Sequence, residues 1–165
     1  MNTNETPDQR FERRAAEVGL DPQAELRIGG HYVSLLRHAD QVWISGQVPR
    51  VGDRVLVCGR VGAGVTLDQA RLAARIGVLR ALTLLRRELG SLDRVAQVLR
   101  LTVYVQCSPD FTQHSEVADG ASDLLHEVLD EAGRHTRTSV GVYQLPKDAA
   151  VEVDLVAAVR VNTVD

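Results

Sequence analysis

The stretch TLDQARLAARIGVLRALTLLRRELG, residues 66–90, decides the fold class. Thr66 followed by Gln69 matches a capping box, in which each side chain satisfies a free backbone N–H at the helix start. Gly90 stands where a helix C-terminus needs its stop. The spacing predicts one long helix over Leu67–Leu89. Ala70, Ala73, Ala74, Gly77, Ala81, Leu84 and Leu85 fall on one face, and most are small, so the axis can approach a sheet closely. Leu72, Ile76 and Leu79 form a second apolar strip. A helix with two apolar faces is buried on more than one side; this second strip reads as surplus apolar surface, available to another subunit.

Outward from this helix the period changes from 3.6 to 2. Upstream, Tyr32–Leu36 and Gln41–Val48 read as strands around a turn at His38-Ala39-Asp40, and a shorter strand is expected over Arg54–Cys58. The segment Gly59–Gly64 carries three glycines and reads as a loop. Downstream, Val95–Cys107 alternates, with Leu99, Leu101, Val103, Val105 and Cys107 inward and Arg100, Thr102, Tyr104 and Gln106 outward. A second helix is predicted over Glu116–Ala132, then strands over Thr138–Gln144 and Val151–Val161. The order is that of a single α+β domain. Residues 1–26 look like an appendage with a short helix from Asp8 to about Val18, whose thin apolar stripe must dock on something larger to persist. The domain proper is expected over residues 27–165.

Composition narrows the function. The chain has 165 residues, 44% hydrophobic and 25% charged, enough for one core without disulfide or metal. Its net charge is −3 and only 4% of residues are aromatic. A nucleic-acid binder shows a basic stripe or stacking platforms, so no nucleic-acid partner is expected. Cys58 and Cys107 fit neither a disulfide framework nor a zinc site. No apolar run reaches a membrane span and the polar N-terminus has no signal-peptide core; a cytoplasmic location without membrane partners is expected. The Gly-rich run at 59–64 lacks phosphate-loop spacing. The histidines at 31, 38, 114, 126 and 135 never pair at a metal spacing, and no hydrolase nucleophile elbow is present. No metal and no cofactor are expected.

Four polar residues sit at expected strands or strand edges: Tyr32, Ser45, Arg137 and Glu152. The planar fork of an arginine suits a carboxylate, and a carboxylate on an apolar strand can orient or deprotonate a water. Each residue also has a plain structural reading, which for Arg137 is a surface or structural ion pair.

Their spacing carries a resemblance. Tyr32, the run Ser45-Gly46-Gln47-Val48-Pro49, and Arg137-Thr-Ser-Val-Gly-Val-Tyr-Gln-Leu145-Pro146 followed by Val151-Glu152-Val153 look like the blocks of the Rid/YjgF family. The likeness covers about residues 28–160. His31 before Tyr32, Asp119-Gly120-Ala121-Ser122 in place of an asparagine, Ser139 in place of a cysteine, and Gly133-Arg134-His135 before the arginine resemble a divergent branch. The resemblance implies a six-stranded mixed sheet with two helices on one face, and a chorismate-mutase-like homotrimer with ligand clefts between subunits. It implies hydrolysis of 2-imino acids to 2-oxo acids and ammonia. Arg137 would clamp a small carboxylate-bearing metabolite and Glu152 position water, with Tyr32, Ser45, Gly46, Asp119 and Ser139 shaping the pocket. A non-catalytic carboxylate sensor on the same trimer is the main alternative, and RNA cleavage a third.

Overall fold

The computed structural model describes residues 5–160. Its elements are α1 (Pro7–Glu17), β1 (Leu35–His38), β2 (Gln41–Gln47), β3 (Arg50–Val51), β4 (Arg54–Val55), β5 (Arg60–Val61), β6 (Gly64–Val65), α2 (Leu67–Leu89), β7 (Val95–Gln106), α3 (His114–Leu129), β8 (Thr136–Val142) and β9 (Val151–Val159). The main sheet runs β1-β2-β9-β7-β8. All its pairs are antiparallel except β7 with β8, which α3 joins as a crossover because parallel neighbours need a long connection. Helices α2 and α3 cover one face of the sheet.

Helix α2 starts and stops where its end signals place it. Both capping-box bonds form: Thr66 N–H donates to Gln69 Oε1 at 2.9 Å, and Gln69 N–H to Thr66 Oγ1 at 3.2 Å. Gly90 adopts the left-handed cap with φ 80°. The close approach to the sheet is real: a Cβ on Gly77 would lie 2.8 Å from Val153 Cγ2. The second apolar strip meets a different fate from the one expected. Ile76 and Leu79 are buried within this chain, because α2 packs on the sheet along one side and on α3 along another, with α1 against its C-terminal part. Leu72 alone of the three remains exposed. Surplus surface on α2 therefore gives no support for an oligomer.

Helix α1 docks on α2 and α3 with Phe11 and Ala15 buried. Asp8 pairs with Arg86 at 3.2 Å and accepts the Leu92 N–H at 3.0 Å. Arg10 donates to the Val128 carbonyl at 2.9 Å.

Other expectations are corrected. Among the described residues the sheet has five strands, not six. Arg54–Val55 leaves it to pair with Arg50–Val51, because Pro49 has no N–H for a ladder and Gly52, at φ 57°, folds the chain back. The first strand begins at Leu35, so Tyr32 lies in the approach to it and not within it. The loop at 59–64 contains the two-residue strands β5 and the start of β6. Two bulges in β7, at Val95/Gln97 and Val98/Arg100, shift its alternation so that Val98 is buried and Leu99 only partly. Gln106, expected outward, is fully buried. It donates to Asp148 Oδ1 at 2.6 Å and accepts the Leu145 N–H at 2.7 Å, which pins the Leu145–Asp148 loop over the strand end. Strand β9 ends at Val159, so the predicted continuation stops short at Arg160, and Val161 lies outside the described residues.

Candidate functional site

Strand β9 alternates strictly. Val151, Val153, Leu155, Ala157 and Val159 are buried toward the helices, so Glu152 and Asp154 point to the open face. Opposite them β2 carries a bulge: Ile44 pairs with Leu155 and Gln47 with Val153, leaving one extra residue across the Ser45–Gly46 step. Gly46 thereby sits directly over Glu152. A Cβ at position 46 would lie 2.0 Å from Glu152 Oε1 and 2.8 Å from its carboxyl carbon, so glycine is the residue that leaves room for this carboxylate. No cation pairs with Glu152 among the described residues. Burial, and then the nearby Asp154 charge, push its pKa above the usual carboxylate range.

Glu152 and Gly46 line a cavity of about 130 Å³ together with Tyr32, Gln47, Arg50, Arg80 and Lys147, among others. Tyr32 is 51% exposed and forms part of its wall. Ser45 is spent on structure: its Oγ donates to the Val33 carbonyl at 2.8 Å, tying the 32–34 segment across the bulge. Lys147 and Asp148, both with φ near 57°, sit in the Leu-Pro loop that closes the far rim; such backbone costs about 1–3 kcal/mol per residue.

Arg137 lies elsewhere. On β8 it stands beside Leu101 in register, a residue buried under the helices, and its side chain reaches α3. Nη1 donates to Asp119 Oδ1 and to Ser122 Oγ, each at 2.9 Å, and Nη2 reaches the Ser115 carbonyl at 3.4 Å. His135 completes the group. Its Nδ1–H donates to the Gly133 carbonyl at 2.6 Å, because a carbonyl can only accept. In the neutral ring Nε2 must then accept, and it takes the Ser122 O–H at 2.9 Å. Burial holds the His135 pKa below its ordinary value, with Arg137 adding to that against a raising bond from Gly133. Ser122, His135 and Arg137 share an open groove with Asp123, His126 and Arg134.

The expected residues therefore divide. Tyr32, Gly46 and Glu152 gather at one cavity, with Ser45 bracing it. Arg137 and Asp119 meet as an ion pair on the helix side of the same sheet. Ser139 stands two residues along β8 from Arg137, beside Val103, and lines neither site. Sequence reading missed Arg50 and Arg80. The available signal was Arg80 itself, a lone cation inside the apolar run Val78-Leu79-Arg80-Ala81-Leu82. Among the described residues no cluster of three or more His, Cys, Asp or Glu side chains could hold a metal, both cysteines are free, and no helix is long and apolar enough to cross a membrane.

Comparison with known proteins gives a consistent picture. The sequence model of a family described as "YjgF/chorismate mutase-like, putative endoribonuclease" matches residues 12–159. Protein TCP17 of Trypanosoma cruzi is 44% identical over 146 residues, covering 88% of this chain and 90% of its own length. Two solved structures share 31% identity each. Atu1372 of Agrobacterium tumefaciens, whose function is unknown, superposes with a TM-score of 0.83 over 93% of this chain and 95% of its own. A protein of Shewanella oneidensis MR-1 described as a putative endoribonuclease superposes with 0.84 over 94% of this chain and 100% of its own.

Proposed function

This chain belongs to the YjgF/chorismate mutase-like family, and on that premise we propose that it hydrolyses reactive 2-imino acids to 2-oxo acids and ammonia, with Glu152 handling the water. The observation that carries the reading is a half-buried carboxylate with no cation paired to it among the described residues, set under Gly46 in a cavity wall. A carboxylate whose pKa is raised by burial exchanges a proton more readily near neutral pH. Glu152 takes a proton from water as its oxygen bonds to the C=N carbon. With the imine protonated, the C=N electron pair moves to nitrogen in that step. Glu152 then returns the proton to nitrogen, the C–N bond breaks with its electron pair leaving on ammonia, and the hydroxyl gives its own proton to Glu152 as the C=O forms.

Arg137 is the proposed carboxylate clamp. Since it faces the helices and Glu152 faces the open side of the sheet, one copy cannot apply both to one small molecule. The reading therefore needs a homotrimer in which Arg137 of one copy approaches the Glu152 cavity of the next. Support comes from the uncovered side of the sheet, where Leu36 and Trp43, cross-strand neighbours, are 58% and 51% exposed. The clamp keeps one edge of its fork available, because Nη2 has only a long contact. Light scattering should give about three times the 18.0 kDa chain mass; a monomer at micromolar concentration refutes the shared site.

A second reading, a carboxylate sensor without turnover, is favoured by the excess of cations over carboxylates at the cavity. Ammonia release from a freshly generated imino acid separates the two. RNA cleavage has weaker support, given a net charge of −3.

A further inference from the structure

The Glu152 cavity contains a charge imbalance that water handling does not use. Arg80 rises from the middle of α2 and is only 5% exposed. Its Nε donates to Gln47 Oε1 at 3.2 Å and its Nη1 to the Arg50 carbonyl at 3.0 Å. Among the described residues no carboxylate pairs with it, and its Nη2 has no partner. Beside it, Arg50 has a buried Nε with no hydrogen-bond partner. Burial, and then the charge of Arg50, lower the Arg80 pKa to about 10. Lys147 adds a third cation at the wall. The fourth, Arg27, is held by Asp53 at 3.3 Å. Glu152 is the one acidic residue lining the cavity among those described, and it pairs with none of these groups.

A buried Arg80 guanidinium beside a part-buried Arg50, with no counter-charge paired to either among the described residues, is costly. A structural brace between Gln47 and Arg50 needs only a neutral donor, so bracing does not account for two charges. An anion seated between them supplies the missing partner and can take both forks. The cavity has room for roughly six heavy atoms, judged by cavities of similar volume, which suits one end of a small acid.

We infer that Arg50 and Arg80 form an anion subsite and that the ligand is a small acid with two anionic groups, one on Arg137 of a neighbouring copy and the other between Arg50 and Arg80. This rests on the reading above for the first carboxylate only. The preferred substrate class is then the dicarboxylic 2-imino acids, and their dicarboxylic 2-oxo products should bind in the same way.

The test is calorimetric titration of the full chain with 2-oxoglutarate and with 2-oxopentanoate, which share a chain length and differ by one carboxylate. The dianion should bind about tenfold to a hundredfold more tightly, the usual scale for charge-assisted hydrogen bonds. Arg50→Gln should erase that preference and leave 2-oxopentanoate affinity within about threefold. Arg50→Gln is the decisive variant, because the Arg50 side chain holds no other residue among those described, whereas Arg80→Gln removes bonds that brace the Gln47–Arg50 segment. Equal affinity for the two acids, no binding of the dianion, or a preference that survives Arg50→Gln overturns the subsite. A preference lost in Arg50→Gln with no ammonia released from any imino acid supports the subsite and refutes the hydrolase reading.

Discussion

The two polar centres of this protein are built on opposite principles. Around Arg137 the polar groups are engaged: guanidinium to Asp119 and Ser122, Ser122 to His135, and His135 to the Gly133 carbonyl. Around Glu152 the charges are left open. Among the described residues the carboxylate lacks a cation, Arg80 lacks a carboxylate, and a buried Arg50 N–H lacks an acceptor. Satisfied networks fix side chains in place. Unsatisfied charges raise the energy of the free protein and are recovered when a ligand of the right charge arrives. On the proposed function this contrast is a division of labour, with a prearranged clamp on one face and a receptive cavity on the other.

The largest expected effect tests the clamp. Arg137→Ala should weaken binding of small carboxylates by about 30-fold to several thousandfold, on the 2–5 kcal/mol scale of a lost buried charge partner. Asp119, 46% exposed, can then turn to water, so the melting temperature should change little. Arg137→Lys should rescue only in part, since an ammonium cannot reproduce the fork. Loss of fold with unchanged affinity in Arg137→Ala would make the whole network structural.

The next effect belongs to the cavity. Glu152→Gln should lower turnover by about 10²-fold or more while binding stays within about tenfold. Equal losses in both would recast Glu152 as a ligand-holding group. Gly46→Ala should lower turnover by up to about 10²-fold, the scale of an ångström of misplacement. The three atoms nearest its Cβ all belong to the Glu152 side chain, so that side chain should move and the melting temperature should hold. Activity that survives Gly46→Ala would separate the bulge from the chemistry.

The smallest effect is a pH dependence of opposite sign at the two centres. Folding raises the Glu152 pKa, so the native state holds that proton more tightly than the unfolded chain. This contribution to stability is present below about pH 4.5 and is lost as pH rises through the folded value. Folding lowers the His135 pKa, so its contribution is present above about pH 6.5 and is lost as pH falls toward the folded value. Calorimetric melting between pH 4 and 8 should show Glu152→Gln gaining on the wild type as pH rises. His135→Gln should remove the loss that begins below about pH 6.5. Parallel curves for all three proteins would show that neither group is held as described.

Local physics made much of this protein readable in its sequence. The limits of α2 follow from Thr66, Gln69 and Gly90, because capping bonds form between residues three or four apart. The inward faces of β9 and of most of β7 follow from a period of two. Tyr32, Glu152 and Arg137 were legible as candidates from residue type and place on expected strands, and Gly46 and Asp119 through the resemblance to the Rid/YjgF blocks. Tertiary structure alone decided the rest. It placed Ile76 and Leu79 inside one chain by setting α3 and α1 on α2, and shifted β7 through two bulges. It also put Arg137 and Glu152 on opposite faces and brought Arg50 and Arg80, thirty residues apart, to one cavity. A bulge or a layer contact depends on which surfaces meet across the fold, and no local pattern of residues encodes that meeting.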